Sequence, residues 1–136
     1  PKNLKSCFLT YPSKNWIEYM ETTKAITMAA AEEEAAAFLK KQGLFIVTKN
    51  FRCKSGEIDL IVRDGKYLVF VEVKYRKSLK YGYPQEAVSV NKQKRIIMSA
   101  VYYCMQNGIT ADTPVRFDVV AVLDKDITLL KNAFEL

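Results

Sequence analysis

Residues 56–76 constrain the fold of this chain more than any other stretch. They read GEIDLIVRDGKYLVFVEVKYR, which is two strand-like runs on either side of Asp64-Gly65. An Asp-Gly pair between apolar runs is the strongest short-range signal for a β-hairpin. The sequence therefore predicts two strands, over residues 56–63 and 66–75, joined by a tight turn.

This hairpin carries charged side chains where a buried strand would be apolar. Because side chains alternate along a strand, Glu57 and Asp59 share one face of the first run. Glu72 and Lys74 likewise share one face of the second run. A carboxylate in such a run is costly to bury unless a cation or a hydrogen-bond partner compensates it. The hairpin is therefore predicted to form a site.

The elements around the hairpin predict a mixed α/β fold. Helix-forming residues end at Gly43, a typical C-terminal stop, and a second helical stretch ends at Gly108. The predicted order is α-β-β-β-α-β-β, a mixed β-sheet flanked by helices. The further predicted elements are helices over residues 23–42 and 91–107 and strands over residues 44–51, 113–122 and 127–130. Residues 1–24 are predicted to be an N-terminal extension that docks on the core or on a partner, and residues 25–136 form the main domain.

The composition excludes several kinds of chemistry. The chain has no histidine, so Ser-His-Asp and Cys-His catalysis are absent, as are most mixed Cys/His zinc sites. The three cysteines are Cys7, Cys53 and Cys104, which form no Cys-x-x-Cys spacing. Free thiols favour a cytoplasmic protein, and no apolar run approaches the ~20 residues of a membrane helix.

The net charge of +6 is distributed unevenly. Residues 40–95 hold 14 Lys/Arg against 5 Asp/Glu, whereas the rest of the chain holds 7 against 10. The basic excess of +9 therefore surrounds the hairpin. A nucleic-acid backbone is one partner that fits this pattern, and ordinary solvated strand edges and helix faces are the other explanation.

The spacing of the hairpin charges matches one specific chemistry. Asp59 is followed about a dozen residues later by Glu72-Val73-Lys74, an Asp…Glu-x-Lys pattern typical of restriction-endonuclease-like nucleases. Mg²⁺ (or Mn²⁺) takes oxygen ligands, which Asp59, Glu72 and the backbone carbonyl of Val73 could supply. Lys74 would orient or deprotonate the attacking water and stabilise the developing charge. The alternative is a buried ion cluster with a purely structural role.

Longer matches make a family resemblance visible. They include GEIDLI at residues 56–61, FVEVKYR at residues 70–76, RFDVVA at residues 116–121 and NAF at residues 132–134. On these motifs, over residues 31–134, the chain resembles the YraN family of predicted bacterial endonucleases, which are similar in fold to archaeal Holliday-junction resolvases. The resemblance implies a restriction-endonuclease-like domain over residues 25–136 and a catalytic triad of Asp59, Glu72 and Lys74.

The same resemblance suggests roles for further residues. By analogy with the resolvases, Glu32 would be a helix-borne carboxylate at the metal. Glu57 has three open roles: a partner of the metal ligands, a ligand itself, or an ion-pair partner of Arg52 or Lys54. The residues predicted to bind nucleic acid are Lys92, Lys77, Lys80, Arg76, Lys94 and Arg95.

Three functions remain open at this point. The first is a metal-dependent DNA endonuclease, selective for branched DNA and expected to be a homodimer because two symmetric nicks need two sites. The second is a nucleic-acid-binding module that has the nuclease fold without significant catalysis. The third is a scaffold whose aromatic first 20 residues contact a partner.

Overall fold

The computed structural model describes residues 15–77 and 88–135, with side chains from residue 27 onward. Its elements follow the predicted order, so the mixed α/β fold class is confirmed. Their bounds are α1 Asn15–Lys41, β1 Phe45–Cys53, β2 Gly56–Asp64, β3 Tyr67–Arg76, α2 Val90–Gln106, β4 Val115–Leu123 and β5 Asp126–Phe134. The chain divides into two units, residues 1–30 and 31–136, and the five strands β1 to β5 lie in the second. The predicted boundary after residue 24 stays a prediction.

Helix α1 begins at Asn15, eight residues before its predicted start. Residues 15–23 contain neither glycine nor proline, so nothing in them interrupts a helix. The helix ends as predicted, because Gly43 takes a positive φ of 89° and the N–H of Leu44 donates to the carbonyl of Leu39 at 3.0 Å. Within residues 15–77 and 88–135, no helix combines the length and apolar character that crossing a membrane requires.

The five strands form one sheet in the order β1-β2-β3-β4-β5. Neighbouring strands are antiparallel except β3 and β4, which are parallel and are joined through α2. The hairpin turn consists of Gly65 and Lys66, and Asp64 already pairs with Tyr67. Gly65 has a φ of 57° at the first loop position, as a type II′ turn requires, so the turn lies one residue later than predicted.

Each face of the sheet carries its own apolar core. On one face, Ala35 and Leu39 of α1 pack with valines of β2, β3 and β4. On the other face, Ile96, Ala100 and Tyr103 of α2 pack around the buried ring of Phe70. Strand β3 is therefore covered on both sides, which explains its nearly continuous apolar sequence.

The apolar pattern of helix α2 predicts a core face of Ile96, Ile97, Ala100, Val101, Cys104 and Met105, and the structure confirms only part of it. Ile96 and Ala100 are buried and Ile97 and Cys104 pack against the same core, but Val101 and Met105 are exposed, whereas Ser99 and Tyr103 are buried. Apolar residues occur on more than one face of this helix, so periodicity alone could not select the buried one. The exposed apolar residues Met98, Val101, Tyr102 and Met105 form a stripe on the outer side.

Candidate functional site

Asp59 lies where the hairpin ladder opens. The β2–β3 pairing runs from Asp64↔Tyr67 to Leu60↔Val71, and the next N–H along β3, that of Val73, donates to Asp59 Oδ2 at 2.8 Å. Side-chain alternation also breaks here, because Ile58 and Ile61 pack in the same core although they are three residues apart. The carboxylate thus replaces a backbone acceptor and is held at a fixed position between the strands.

Glu72 brings the second carboxylate to the same place, on the α2 side of β3. Its side chain is only 6% exposed, and its Oε1 lies 3.7 Å from the Nζ of Lys74 and 3.6 Å from the Nζ of Lys92. Lys74 comes from the same strand, whereas Lys92 comes from the first turn of α2. We call Asp59, Glu72, Lys74 and Lys92 the hairpin cluster.

Two carboxyl groups in this cluster face each other. Burial, and after it the charge of Asp59, raise the pKa of Glu72 to about 7, although Lys92 and Lys74 act in the opposite direction. Burial is also the largest cause that raises the pKa of Asp59, and the hydrogen bond from the Val73 N–H opposes it. The lysines therefore do not fully compensate the negative charge, and a cation at this position would be stabilised.

Glu32 extends this acidic region from α1. Burial and the charges of Asp59 and Glu57 raise its pKa, while a hydrogen bond with Asn50 lowers it. Asn50 has a φ of 53°, a conformation that asparagine tolerates better than most residues, and it lies in the middle of β1. The predicted proximity of Glu32 to the hairpin site is therefore observed, and Asn50 is a neighbour that the sequence reading did not assign to the site.

Glu57 lies beside the hairpin cluster rather than within it. Its Oε2 is 3.4 Å from the Nε of Arg52, in a pair whose side chains are 50% and 77% exposed. Of the three roles left open for Glu57, the structure displays the ion pair. Its charge still reaches Asp59 and Glu32, whose pKa values it raises.

The basic residues predicted to bind nucleic acid fall into separate groups. Lys94 and Arg95 are exposed on α2, two and three residues after Lys92. Arg76 donates from its Nη1 to the carbonyl of Tyr75 at 2.8 Å, and Lys77 is exposed after the end of β3. Lys80 lies outside the described residues, in the segment 78–87.

The first turn of α2 is fixed by a cap that the sequence reading overlooked. Ser89 is the N-cap and its hydroxyl oxygen accepts the N–H of Lys92 at 3.1 Å. The signal was present, because serine is a preferred N-cap residue and Lys92 stands at the N3 position after it. The cap orients the first turn of α2, which carries Lys92. Lys92 therefore lies against Glu72, on the same helix as Lys94 and Arg95.

The donors of the hairpin cluster fit a hard cation only in part. Among the side chains of residues 27–77 and 88–135, no three Asp, Glu or Cys groups converge closely enough to form a metal cage by themselves. Mg²⁺ does not need such a cage, because one or two carboxylates suffice when waters and substrate phosphates complete its shell. Asp59 and Glu72 are two buried carboxylates with raised pKa values, so their chemistry fits Mg²⁺ or Mn²⁺ bound together with a substrate.

Fold and site together define a mixed α/β protein whose central hairpin holds an incompletely compensated carboxylate pair beside two lysines. Residues 31–122 match the model of the uncharacterised protein family UPF0102. The chain is 47% identical over 112 residues to a UPF0102 protein of Lachnoclostridium phytofermentans, which covers 82% of this chain and 95% of the relative. It is 46% identical to one of Janthinobacterium sp., covering 84% and 91%, and 44% identical to one of Desulforapulum autotrophicum, covering 85% and 98%.

The chain therefore belongs to the UPF0102 family, which is the YraN family named above. The matched residues 31–122 include all four members of the hairpin cluster and begin where the second compact unit begins.

Proposed function

We propose that this protein is a metal-dependent endonuclease that hydrolyses phosphodiester bonds in DNA. One observation carries the proposal: two buried carboxyls, Asp59 and Glu72, face each other with raised pKa values, and two lysines lie against one of them. The Asp…Glu-x-Lys spacing of these residues is the pattern of restriction-endonuclease-like nucleases, and the sheet order is compatible with it.

Asp59 and Glu72 would hold the cation. When bound, Mg²⁺ or Mn²⁺ supplies Lewis-acid polarisation of a phosphoryl oxygen and lowers the pKa of a bound water. Asp59 is fixed for this role because its Oδ2 accepts the Val73 N–H, which leaves Oδ1 for other partners. Burial removes competing water from both carboxylates, so their interaction with a cation is strong.

The two lysines would act on the substrate. Lys74 would orient the attacking water or accept its proton, and the negative charge that develops on the phosphoryl oxygens would be stabilised by a cation beside it. Lys92 approaches from α2, at the same 3.6–3.7 Å distance from Glu72 Oε1 as Lys74. It would contact the scissile phosphate or its neighbour once the carboxylate engages the cation.

Two observations support DNA as the substrate, namely the basic charge around the hairpin and the family resemblance. The basic excess of residues 40–95 surrounds the hairpin, and exposed Lys94, Arg95 and Lys77 are available to phosphates. Similarity to Holliday-junction resolvases supports branched DNA as the preferred substrate. A homodimer would provide the two sites that symmetric nicking of a junction needs.

The proposal is tested with branched, nicked and linear DNA in the presence of Mg²⁺ or Mn²⁺. Cleavage should fall by about 10²- to 10³-fold in Lys74→Ala and to background in Asp59→Asn and Glu72→Gln. Glu34→Gln, an exposed change on α1, is the matched control and should cleave like the parent. Cleavage that persists in Asp59→Asn, or is absent from the parent with either metal, would overturn the proposal.

A nucleic-acid-binding module without significant catalysis is the second candidate. It is favoured by the ion pairs of Glu72 with Lys74 and Lys92, which hold the cluster together without a metal. This function predicts salt-sensitive DNA binding that is unchanged by EDTA and by Asp59→Asn. DNA affinity that rises with Mn²⁺ and depends on Asp59 would exclude it.

A further inference from the structure

A pocket between the β1–β2 turn and helix α2 has no role in the proposed chemistry. It encloses about 540 Å³ and is lined by Phe51, Arg52, Cys53, Lys54, Ser55, Tyr102 and Gln106. Pockets of ~300–1,000 Å³ are the size that binds small organic molecules, so a nucleoside with its phosphate has room here. The pocket is formed by the β1–β2 turn on one side and by the C-terminal half of α2 on the other.

The aromatic part of the lining offers a stacking surface. The Phe51 and Tyr102 ring centroids are 6.3 Å apart with an interplanar angle of 32°, and Tyr102 is 49% exposed. Phe51 is held from behind by an edge-to-face contact with the buried Tyr103 at 5.2 Å. A rigid aromatic surface of this kind can stack on any base, because every base has a π-face.

The polar part of the lining suits the rest of a nucleotide. Arg52 and Lys54 are cations at the rim that can contact phosphates, while Ser55 and the Gln106 amide can donate and accept hydrogen bonds. Arg95 adds a third cation nearby, since its Cβ lies 3.6 Å from the position that a side chain on Gly56 would occupy. The pocket therefore combines cations that suit a phosphate, polar groups that can hydrogen-bond and aromatic rings that can stack on a base.

Charged side chains at the start of β2 link the pocket lining to the hairpin cluster. Arg52 pairs with Glu57 at 3.4 Å, and the charge of Glu57 is felt by Asp59. Lys92 of the cluster and Arg95 lie one turn apart on α2, and Tyr102 follows two turns after Arg95. A strand whose phosphate contacts Lys92 can therefore continue along α2 past Arg95 to the pocket.

We propose that this pocket binds one unpaired nucleotide of the nucleic-acid substrate, with its base stacked on Tyr102 and its phosphate at Arg52 and Lys54. The inference rests on the proposed function for the identity of the polymer. It specifies the structure of the preferred DNA, because a base can enter the pocket only where it is not paired, as in a flap, a branch point or a single strand. The pocket thereby selects for branched or single-stranded DNA over uninterrupted duplex.

A binding cycle in EDTA tests the pocket independently of cleavage. The probe is a single-stranded oligonucleotide, compared with versions that carry one abasic residue at successive positions. At one position, loss of the base should weaken binding to the parent protein by about 5- to 100-fold, the usual range for one stacked base. Tyr102→Leu should weaken binding to the intact strand by the same factor and should no longer distinguish the abasic strand.

Two variants control for general damage to α2. Tyr102→Phe keeps the ring and should bind like the parent. Met105→Ala removes an exposed apolar side chain from the same helix but not from the pocket lining, and it too should bind like the parent. The proposal is overturned if Tyr102→Leu binds the intact strand as tightly as the parent, or if it is weakened equally on intact and abasic strands.

Cys53 provides a second readout, because it lies in the pocket. A hydrogen bond with Ser99 is the first cause that lowers the pKa of its thiol, which favours alkylation. Saturating oligonucleotide should slow the alkylation of Cys53 by at least about 5-fold, read by peptide mass spectrometry, and leave Cys104 unchanged. Equal protection by a mononucleotide at the same concentration would overturn the polymer subsite, and so would no protection at all.

These outcomes separate the two proposals. Cleavage without a Tyr102-dependent stacking position leaves the nuclease and removes the pocket. A stacking position without cleavage by the parent, with either metal, leaves the pocket and removes the nuclease.

Discussion

Two buried aspartates in this sheet, Asp59 and Asp118, each accept a backbone N–H, but only Asp118 also has a cation that neutralises it. Asp59 accepts the N–H of Val73 at 2.8 Å where the β2–β3 pairing ends, and Asp118 accepts the N–H of Asn132 at 2.9 Å where the β4–β5 register shifts. Asp118 also receives two nitrogens of Arg116, at 2.9 Å from Nε and 2.9 Å from Nη2. Asp59 instead faces the carboxyl of Glu72. One carboxylate is fully compensated, whereas the other is positioned but not neutralised.

The surroundings of Asp118 form what we call the arginine cluster, which consists of Asp64, Arg116, Asp118 and Lys131. Hydrogen bonding to Asp118 is the first cause that raises the pKa of Arg116, and the guanidinium lies 5.4 Å from the ring of Tyr67. This cluster ties the tip of the hairpin to β4 and leaves no charge free for a ligand. The comparison teaches that burial of charge is structural where donors match acceptors and is available for chemistry where they do not.

The largest expected effect is on the arginine cluster. Arg116→Ala removes the cation from a fully buried Asp118, so it should lower the free energy of unfolding by about 3–5 kcal/mol. Urea denaturation measures this value. Lys131→Ala removes only an exposed partner, 3.8 Å from Asp64, and should change stability by less than about 0.5 kcal/mol. A similar, small effect of both variants would break the distinction between the clusters.

The second effect is a pH dependence that arises from Glu72. Its pKa in the folded protein, about 7, lies above the ordinary value of 4.5, so the folded state binds more protons between these values. Without metal, this residue's contribution to stability should be complete below pH ~4.5 and should be lost as the pH rises to about 7, by roughly 3 kcal/mol in total.

Glu72→Gln isolates this effect. Thermal melts in EDTA from pH 4.5 to pH 8 should show a smaller fall in stability for Glu72→Gln than for the parent, whereas Glu34→Gln should follow the parent. A curve for Glu72→Gln that parallels the parent would show that the hairpin cluster is as well compensated as the arginine cluster.

The third effect is stabilisation by a divalent cation. At ten times its dissociation constant, Mn²⁺ should raise the free energy of unfolding by about 1.4 kcal/mol if it binds only the folded protein. Asp59→Asn should abolish this gain because it removes one of two carboxylates, and Arg116→Lys should retain it. Equal stabilisation of the parent and Asp59→Asn would place the cation elsewhere.

The smallest effect is expected from Asp59→Asn in the absence of metal. The amide oxygen can still accept the Val73 N–H, and the variant removes one of two opposed carboxyls. Stability in EDTA should therefore be unchanged or higher by up to about 1 kcal/mol. A loss as large as that of Arg116→Ala would mean that the carboxylate pair is structural.

Local signals in the sequence predicted much of the fold. Gly65, Gly43 and Gly108 mark the hairpin turn and the ends of the two helices, because each supplies a positive φ that few other residues adopt without strain. The hairpin turn itself is shifted by one residue, since Asp64 pairs with Tyr67. Strand β5 was predicted too short. Its polar end at Lys131 and Asn132 does not look like a strand, since it belongs to an edge strand that is irregular opposite Asp118.

The residues of the candidate site also fall into two groups, those whose placement the sequence predicted and those whose placement it did not. The sequence by itself determined the hairpin, the pairing of Glu72 with Lys74 and the nearness of Asp59, because strand alternation and a short turn act over few residues. Only the tertiary structure brought Lys92 to Glu72, separated Glu57 from Asp59 and placed Glu32 beside them. These relations depend on how α1 and α2 pack on the sheet.

Helix α2 shows most directly why packing on the sheet decided these placements. Its sequence offers apolar side chains on more than one face, and packing against β2 and β3 selected the one with Ile96, Ala100 and Tyr103. That choice turned Lys92 towards Glu72 and left Tyr102 exposed beside the β1–β2 turn. Periodicity fixes that a helix forms, whereas its rotation about its own axis is decided by the surface it covers.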